Sequence, residues 1–313
     1  LFILLSLGLN IVVGFAGLLD LGYIAFYAVG GYVYALLASP QFDLHWPVWA
    51  IVPLGALVAC FFGVLLGAPT LKLRGDFLAI VTLGFGESIR IFLNNLSQPV
   101  NITNGPQGIS RIDPIHIGEF SFGRTDTLAG LTFSGPVKYY YLLIVVLMLV
   151  LVVNVRLQHS RIGRAWEAIR EDETAARAMG IDTTRMKLLA FAMGASFGGI
   201  AGSIFSAMQG FISPESFVLV ESIMVLSMVV LGGMGNIWGV VVGALLLSFV
   251  PELLRHTVGP AQQALFGRAI VEPEVVRMLL FGLALVLMMM YRPAGLFPSA
   301  VRRRELARRS DAA

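Results

Sequence analysis

Apolar runs of roughly 17 to 25 residues, the length a helix needs to cross about 30 Å of hydrocarbon, recur almost from end to end of this chain with short polar gaps between them. They fall near 1–16, 22–38, 48–67, 76–95, 138–157, 187–208, 217–232, 236–254 and 277–292. Composition agrees with that pattern. Of 313 residues, 57% are hydrophobic and 13% charged, with a mean hydropathy of +0.81, whereas a soluble domain carries about a quarter charged residues. A water-soluble globule is therefore excluded. The expected fold is an all-α integral membrane protein, a polytopic helical bundle of about nine spans. One membrane domain covers 1–300, with a basic tail at 301–313. Several runs are short. The glycines at 14, 17 and 22, and at 232, 233 and 235, mark helices expected to be broken or re-entrant, which is tolerated only where protein or a water-filled cavity covers the freed backbone.

The sequence opens at Leu1 in what already reads as embedded helix, so further residues are expected upstream, and no basic leader or small-residue cleavage site marks a signal peptide. Cys60 stands alone in an apolar run. It forms no intrachain disulfide or cysteine metal cluster and is expected to pack as a small hydrophobe.

Alternating the spans sorts the basic residues unevenly. One side receives Lys72, Arg74, Arg156, Arg161, Arg164, Arg170, Arg177, Arg185, Lys187, Arg292, Arg302, Arg303, Arg304, Arg308 and Arg309. The other receives Arg111, Arg124, Lys138, Arg255, Arg268 and Arg277, leaving Arg90 inside a span. The richer side is expected to be cytoplasmic, with the C-terminus there. Topology and attraction to anionic lipid then account for the pI of about 9.2 without a nucleic-acid partner.

The connection over 161–181, RIGRAWEAIREDETAARAMGI, within a polar loop spanning 158–186, is far longer than a turn between spans requires. Ala165, Ala168, Ile169, Ala176 and Met179 recur at intervals of three and four, while Arg164, Glu167, Arg170, Glu171 and Asp172 occupy other faces. That spacing predicts one amphipathic surface helix, which Gly180 can cap. Spacing alone leaves open a helix that touches only the membrane interface.

Several segments in order carry a resemblance. The run Glu173, Thr174, Ala175, Ala176, Arg177, Ala178, Met179, Gly180 resembles the E-A-A-x-x-x-G loop of ABC importer permeases, with Thr174 where Glu is common. GLNIVVGFAGLLDLGYIAFYAVGGY and LRGDFLAIVTLGFGESIR upstream, and KLLAFAMGASFGGIAGSIF, QGFISPESF, VVLGGMGNIWGVVVGALLL and YRPAGLF downstream, are similar to the LivM-type permeases of branched-chain amino-acid ABC transporters. The likeness covers nearly the whole chain. It implies a multi-pass protein of a bacterial inner membrane that imports leucine, isoleucine or valine. The implied companions are a second, LivH-type permease, two ATP-binding subunits and a periplasmic solute-binding protein.

The resemblance further implies that the helix is a coupling helix seated on an ATPase subunit, with Arg164, Glu167, Arg170, Glu171, Asp172, Glu173, Ala175, Ala176 and Gly180 as its contact residues. The departure at Thr174 leaves Glu171 and Glu173 to supply acidic charge. No G-x-x-x-x-G-K-[ST] run is present, so ATP and Mg²⁺ belong to the partner subunits and this chain needs no cofactor of its own. Nor is there a catalytic constellation or metal site: His45, His116, His159 and His256 fall mainly in loops, without ligand spacing.

Glu87 and Arg90 lie one turn apart inside a span, where ionisable groups are costly and face the bundle interior. They either line or gate a pathway for a zwitterion, or form a structural ion pair near the outer end of the helix. Asp20 and Glu221 fall near span ends. Gly194, Gly198, Gly199 and Gly202 offer a smooth face for close helix packing. The outer loop, 96–137, is punctuated by Gly and Pro, and its run NITNGPQGIS is expected to form a partly ordered cap. The resemblance makes this loop, with 255–275, the docking surface for the binding protein, against the alternative of a passive lid.

Two other readings remain at this level. Permeases similar to this one also carry urea and other small solutes. An ion-coupled secondary transporter would explain the spans, the glycine breaks and the Glu87–Arg90 pair, but leaves the long polar helix without a purpose.

Overall fold

A computed structural model describes residues 1–70, 73, 75–97, 101–117, 120–128, 131–266, 279, 282, 283, 286, 290, 291 and 295–297. Most of the run expected to span over 277–292, the tail 301–313 and all of 267–275 lie outside the described residues. So do Lys72 and Arg74.

The remaining apolar runs fold as helices. They are α1 (Phe2–Leu9), continued by a π-helical segment (Asn10–Phe15), α2 (Ile24–Leu37), α3 (Val48–Thr70), α4 (Asp76–Asn95) and α5 (Gly135–Gln158). After the polar helices α6 (Arg161–Glu171) and α7 (Glu173–Ala178) come α8 (Thr183–Gln209), α9 (Leu219–Gly232) and α10 (Ile237–Phe266). Among the described residues four segments, Val48–Thr70, Gly135–Gln158, Thr183–Gln209 and Pro214–Gly232, are long and apolar enough to cross a membrane by length and composition; Phe2–Phe15, Ile24–Leu37 and Ile237–Phe249 are shorter apolar helices.

α8 is the central helix, packed on α1, α2 and α3. Close approach explains its small residues. A Cβ on Gly202 would lie 2.0 Å from the carbonyl oxygen of Tyr27, so only glycine lets α2 and α8 touch backbone to backbone. Hydroxyls then bond across the seam: Ser203 Oγ donates to Gly30 O (3.1 Å), Ser206 Oγ to Gly31 O (2.9 Å) and Tyr23 Oη to Gly194 O (2.9 Å). By contrast α5 and the outer faces of α3 and α10 expose Phe61, Val145, Leu149 and Phe249, as lipid contact requires.

The ends of the bundle differ. Beyond α4, strands β1 (Ile109–Ser110), β2 (His116–Ile117), β3 (Phe120–Ser121), β4 (Asp126–Leu128) and β5 (Leu131–Phe133) form a cap; β2 pairs with β3 and β4 with β5 in antiparallel ladders. β1 pairs with β6 (Phe211–Ile212), which follows α8, in the register Ile109 to Ile212. The first part of the cap is ordered by bonds to the bundle: Thr103 Oγ1 to Leu93 O (2.6 Å), Asp113 N to Ala38 O (2.6 Å) and Ile112 N to Gly210 O (3.1 Å). α6 and α7 occupy the opposite end, before α8 begins.

Candidate functional site

The polar stretch after α5 is not the single helix its spacing predicts. It is an elbow. Ser160 caps α6, its Oγ accepting from Gly163 N at 3.2 Å. At Asp172 the backbone turns extended, with φ −155° and ψ 108°, and the Asp172 carboxylate accepts from Thr174 N (2.7 Å) and Ala175 N (3.0 Å) to start α7. An aspartate that caps orphan N–H groups restarts the helix on a new axis.

The far end of α7 closes as the sequence suggests. Gly180 takes φ +85°, Gly180 N donates to Arg177 O (3.0 Å) and Ile181 N to Ala176 O (3.1 Å). This paired arrangement satisfies the last carbonyls and requires a left-handed residue that glycine adopts without strain.

Which residues point inward differs from the sequence pattern. α6 buries Gly163, Trp166 and Ile169, and Trp166 is wholly enclosed, its Nε1 donating to Met186 O at 2.7 Å. Ala176 is also buried, whereas Met179, which the spacing groups with the apolar face, is 84% exposed. The outward surface of the elbow is thus Glu171, Asp172, Thr174, Ala175, Arg177, Ala178, Met179 and Gly180, with Arg164 alongside donating to His159 O at 3.0 Å; Glu167 is half-buried. Glu173 is turned away from that surface. Its carboxylate lies 2.8 Å from Lys187 Nζ and 3.2 Å from an Arg177 nitrogen, so of the two glutamates near Thr174 only Glu171 faces outward.

Arg170 also turns inward. Its guanidinium donates to the carbonyl of Gly14, in the π-helical segment. The glycine-rich regions expected to be broken are broken here. Beyond Phe15 the chain runs irregularly to Tyr23, with φ +71° at Gly17, and α9 and α10 are separated at 233–236, with φ +116° at Gly233 and +83° at Gly235. Asn10, fully buried, joins the two breaks: its Oδ1 accepts from Gly235 N at 2.9 Å. Residues from the YRPAGLF segment close the second break, Leu296 N donating to Leu231 O (2.9 Å) and Phe297 N to Gly232 O (3.0 Å). Asp20 sits in the first break, fully buried. One of its oxygens accepts from Gly22 N at 2.9 Å and the other has no hydrogen-bond partner.

Glu87 and Arg90 do pair, Nε to Oε2 at 3.0 Å, and Arg90 reaches a second acid that sequence spacing did not single out, Glu215, at 3.3 Å. The arginine therefore ties α4 to the segment before α9. Among the described residues no group of His, Cys, Asp or Glu is arranged to hold a metal ion.

A family model described as a branched-chain amino acid transport system permease component matches residues 1–289. The chain is 45% identical, over 95% of its length and 68% of the relative's, to the high-affinity branched-chain amino acid transport system permease protein LivM of Salmonella typhimurium. It is 44% identical, with the same coverage, to LivM of Escherichia coli K12. The LivH permease protein of the same system in Escherichia coli K12 is 26% identical over 80% of each chain. No solved structure matches.

Proposed function

Because the chain belongs to the family of branched-chain amino acid transport permeases, we propose that it is the LivM-type permease subunit of an ATP-driven importer for leucine, isoleucine and valine. It works beside a LivH-type permease, two ATP-binding subunits that bind ATP and Mg²⁺, and a periplasmic solute-binding protein. It lies in a bacterial inner membrane with about nine spans and its C-terminus in the cytoplasm.

The observation that carries this reading is the elbow of α6 and α7. A bundle that only conducts a solute has no use for two capped helices held outside it by a buried tryptophan and an internal ion pair. The outward residues Thr174, Ala175, Ala178, Met179 and Gly180 present a small, largely apolar tip with Glu171, Asp172 and Arg177 as exposed charges beside it, suited to a groove on an ATPase. Arg164 and Glu167 flank it, and Asp172 shapes it. Closure of two ATPases then moves the elbow as a rigid unit, and the bundle changes between two arrangements. The cap of β1–β5 is the surface on which the binding protein docks.

The test is to purify the tagged chain in mild detergent from its host, identify what accompanies it, and reconstitute the complex. Two ATPases, a second permease and receptor-dependent uptake of branched-chain amino acids are expected. A lone chain that transports on an ion gradient without ATP would overturn the reading, and uptake of urea in place of amino acids would overturn the substrate.

A further inference from the structure

We propose that Arg170 is a positioning residue that passes the movement of α6 into the broken first helix, through the carbonyl of Gly14 and the π-helical segment Asn10–Phe15. This rests on the importer reading and adds to it the route by which the elbow reaches the membrane.

Arg170 lies in the last turn of α6, where a basic side chain ordinarily extends into water and complements the helix dipole. Here it crosses instead to a partner 156 residues earlier in the chain. Two local features make room and supply an acceptor. Gly17 carries no side chain where the arginine stem passes, since a Cβ there would come 2.9 Å from Arg170 Cγ. Gly14 sits in the last turn of its helix, where carbonyls lose their intrahelical donors. The ladder there is already stretched: Ala16 N reaches back to Ile11 O (3.2 Å) and Leu18 N to Val12 O (3.0 Å). The guanidinium satisfies a carbonyl that would otherwise be orphaned in a buried place.

The other end of the same π-helical segment is also held. Asn10, its first residue, bonds Gly235 at the α9–α10 break, and Gly14 itself also packs on that break, a Cβ there lying 2.6 Å from Gly235 N. The segment is thus clamped between the elbow on one side and the second discontinuity on the other. A π segment holds one residue more per hydrogen-bonded turn than an α-helix, so it can shift register in a discrete step. That gives the coupling a two-state element. Trp166 keeps α6 fixed to the start of α8, and the Arg170 contact links α6 to the first helix.

The experiment uses the whole reconstituted complex with R170M and R170K. Solute moved per ATP hydrolysed is measured together with hydrogen exchange over residues 10–18, with and without ATP–vanadate trapping. In the wild type, trapping is expected to change exchange in 10–18. In R170M, ATPase subunits still co-purify and receptor-stimulated hydrolysis persists, but solute per ATP falls about tenfold, within the range by which single links alter coupling, and exchange in 10–18 no longer responds to trapping. R170K, able to reach one carbonyl, recovers part of both. Wild-type stoichiometry in R170M, or an unchanged exchange response, overturns the proposal. If R170M does not assemble, the shorter, uncharged R170Q is measured in its place, and wild-type behaviour of R170Q in both readouts overturns it equally. Wild-type uptake in the same vesicles tests the importer reading separately, and the exchange response stands whichever solute is carried.

Discussion

The carboxylate of Glu173 lies 2.8 Å from Nζ of Lys187, with the two side chains only 16% and 6% exposed. A lysine at the foot of α8 thereby anchors the first residue of α7. Losing one member of such a pair strands the other charge away from water, at a cost of about 3 kcal/mol. The two deletions are not equivalent. E173A strands Lys187, whereas K187A leaves Glu173 with Arg177 at 3.2 Å. E173A is expected to lower stability by about 3 kcal/mol and K187A by less than half as much. Thermal unfolding of the purified chain in detergent measures both, and equal losses would refute the asymmetry.

Ala176 and Met179 separate folding from docking. Ala176 is buried within the chain and Met179 projects from the tip. A leucine at Ala176 overpacks a filled site, costing about 1–3 kcal/mol, so its effect on transport reports damage to the elbow itself. M179E is expected to leave the melting temperature unchanged while weakening ATPase co-purification at least severalfold. Retention of full ATPase binding by M179E, measured by co-purification and by receptor-stimulated hydrolysis, would remove Met179 from the contact surface.

Much of this arrangement is legible in the sequence because hydrocarbon length and backbone satisfaction leave few alternatives. Among the described residues the helices lie where the apolar runs lie, and the breaks fall at the glycines that mark them. Gly180 caps as its position implies. What escaped is long-range. Arg170 and Glu173 read as solvated charge because nothing local reveals partners such as Gly14 and Lys187, and Met179 falls on the inner face only if the helix is continuous. The restart at Asp172 had a local signal, an aspartate ahead of a short Glu-Thr-Ala-Ala turn, masked by the charges around it. Glu215 belongs to Arg90 by folding alone, 125 residues away.

His45 makes the cap sensitive to pH. Its Nδ1 bonds the Asp113 carboxylate and its Nε2 lies 3.1 Å from Asp43. The hydrogen bond to Asp113, then the charge of Asp113, then the bond and charge of Asp43, raise its pKa above the ordinary 6.5. With the folded value above the unfolded one, the stabilisation is fully present below pH 6.5 and is lost as pH climbs through the raised folded value. Amide exchange at Trp46 and Asp113, which bond Leu37 and Ala38 beside this contact, is expected to accelerate over that window after correction for intrinsic rates. H45Q is expected to abolish the dependence, and its persistence in H45Q would assign it to another group.

Arg90 stands between two acids, so its removal is worse than the removal of either. R90Q leaves both Glu87, on α4, and Glu215, in the segment before α9, without their cation. E215Q leaves the i,i+3 pair of Glu87 and Arg90 intact at 3.0 Å. Because all three side chains are partly exposed, the stability terms are small, on the order of 0.5–1 kcal/mol for each contact. The larger consequence is expected in uptake: R90Q slows it several times more than E215Q, and the neutral double variant E87Q/R90Q recovers stability while altering the preference among leucine, isoleucine and valine. Uptake by E87Q/R90Q with wild-type rate and preference would identify the cluster as a strut between α4 and the segment before α9, with the pathway running elsewhere.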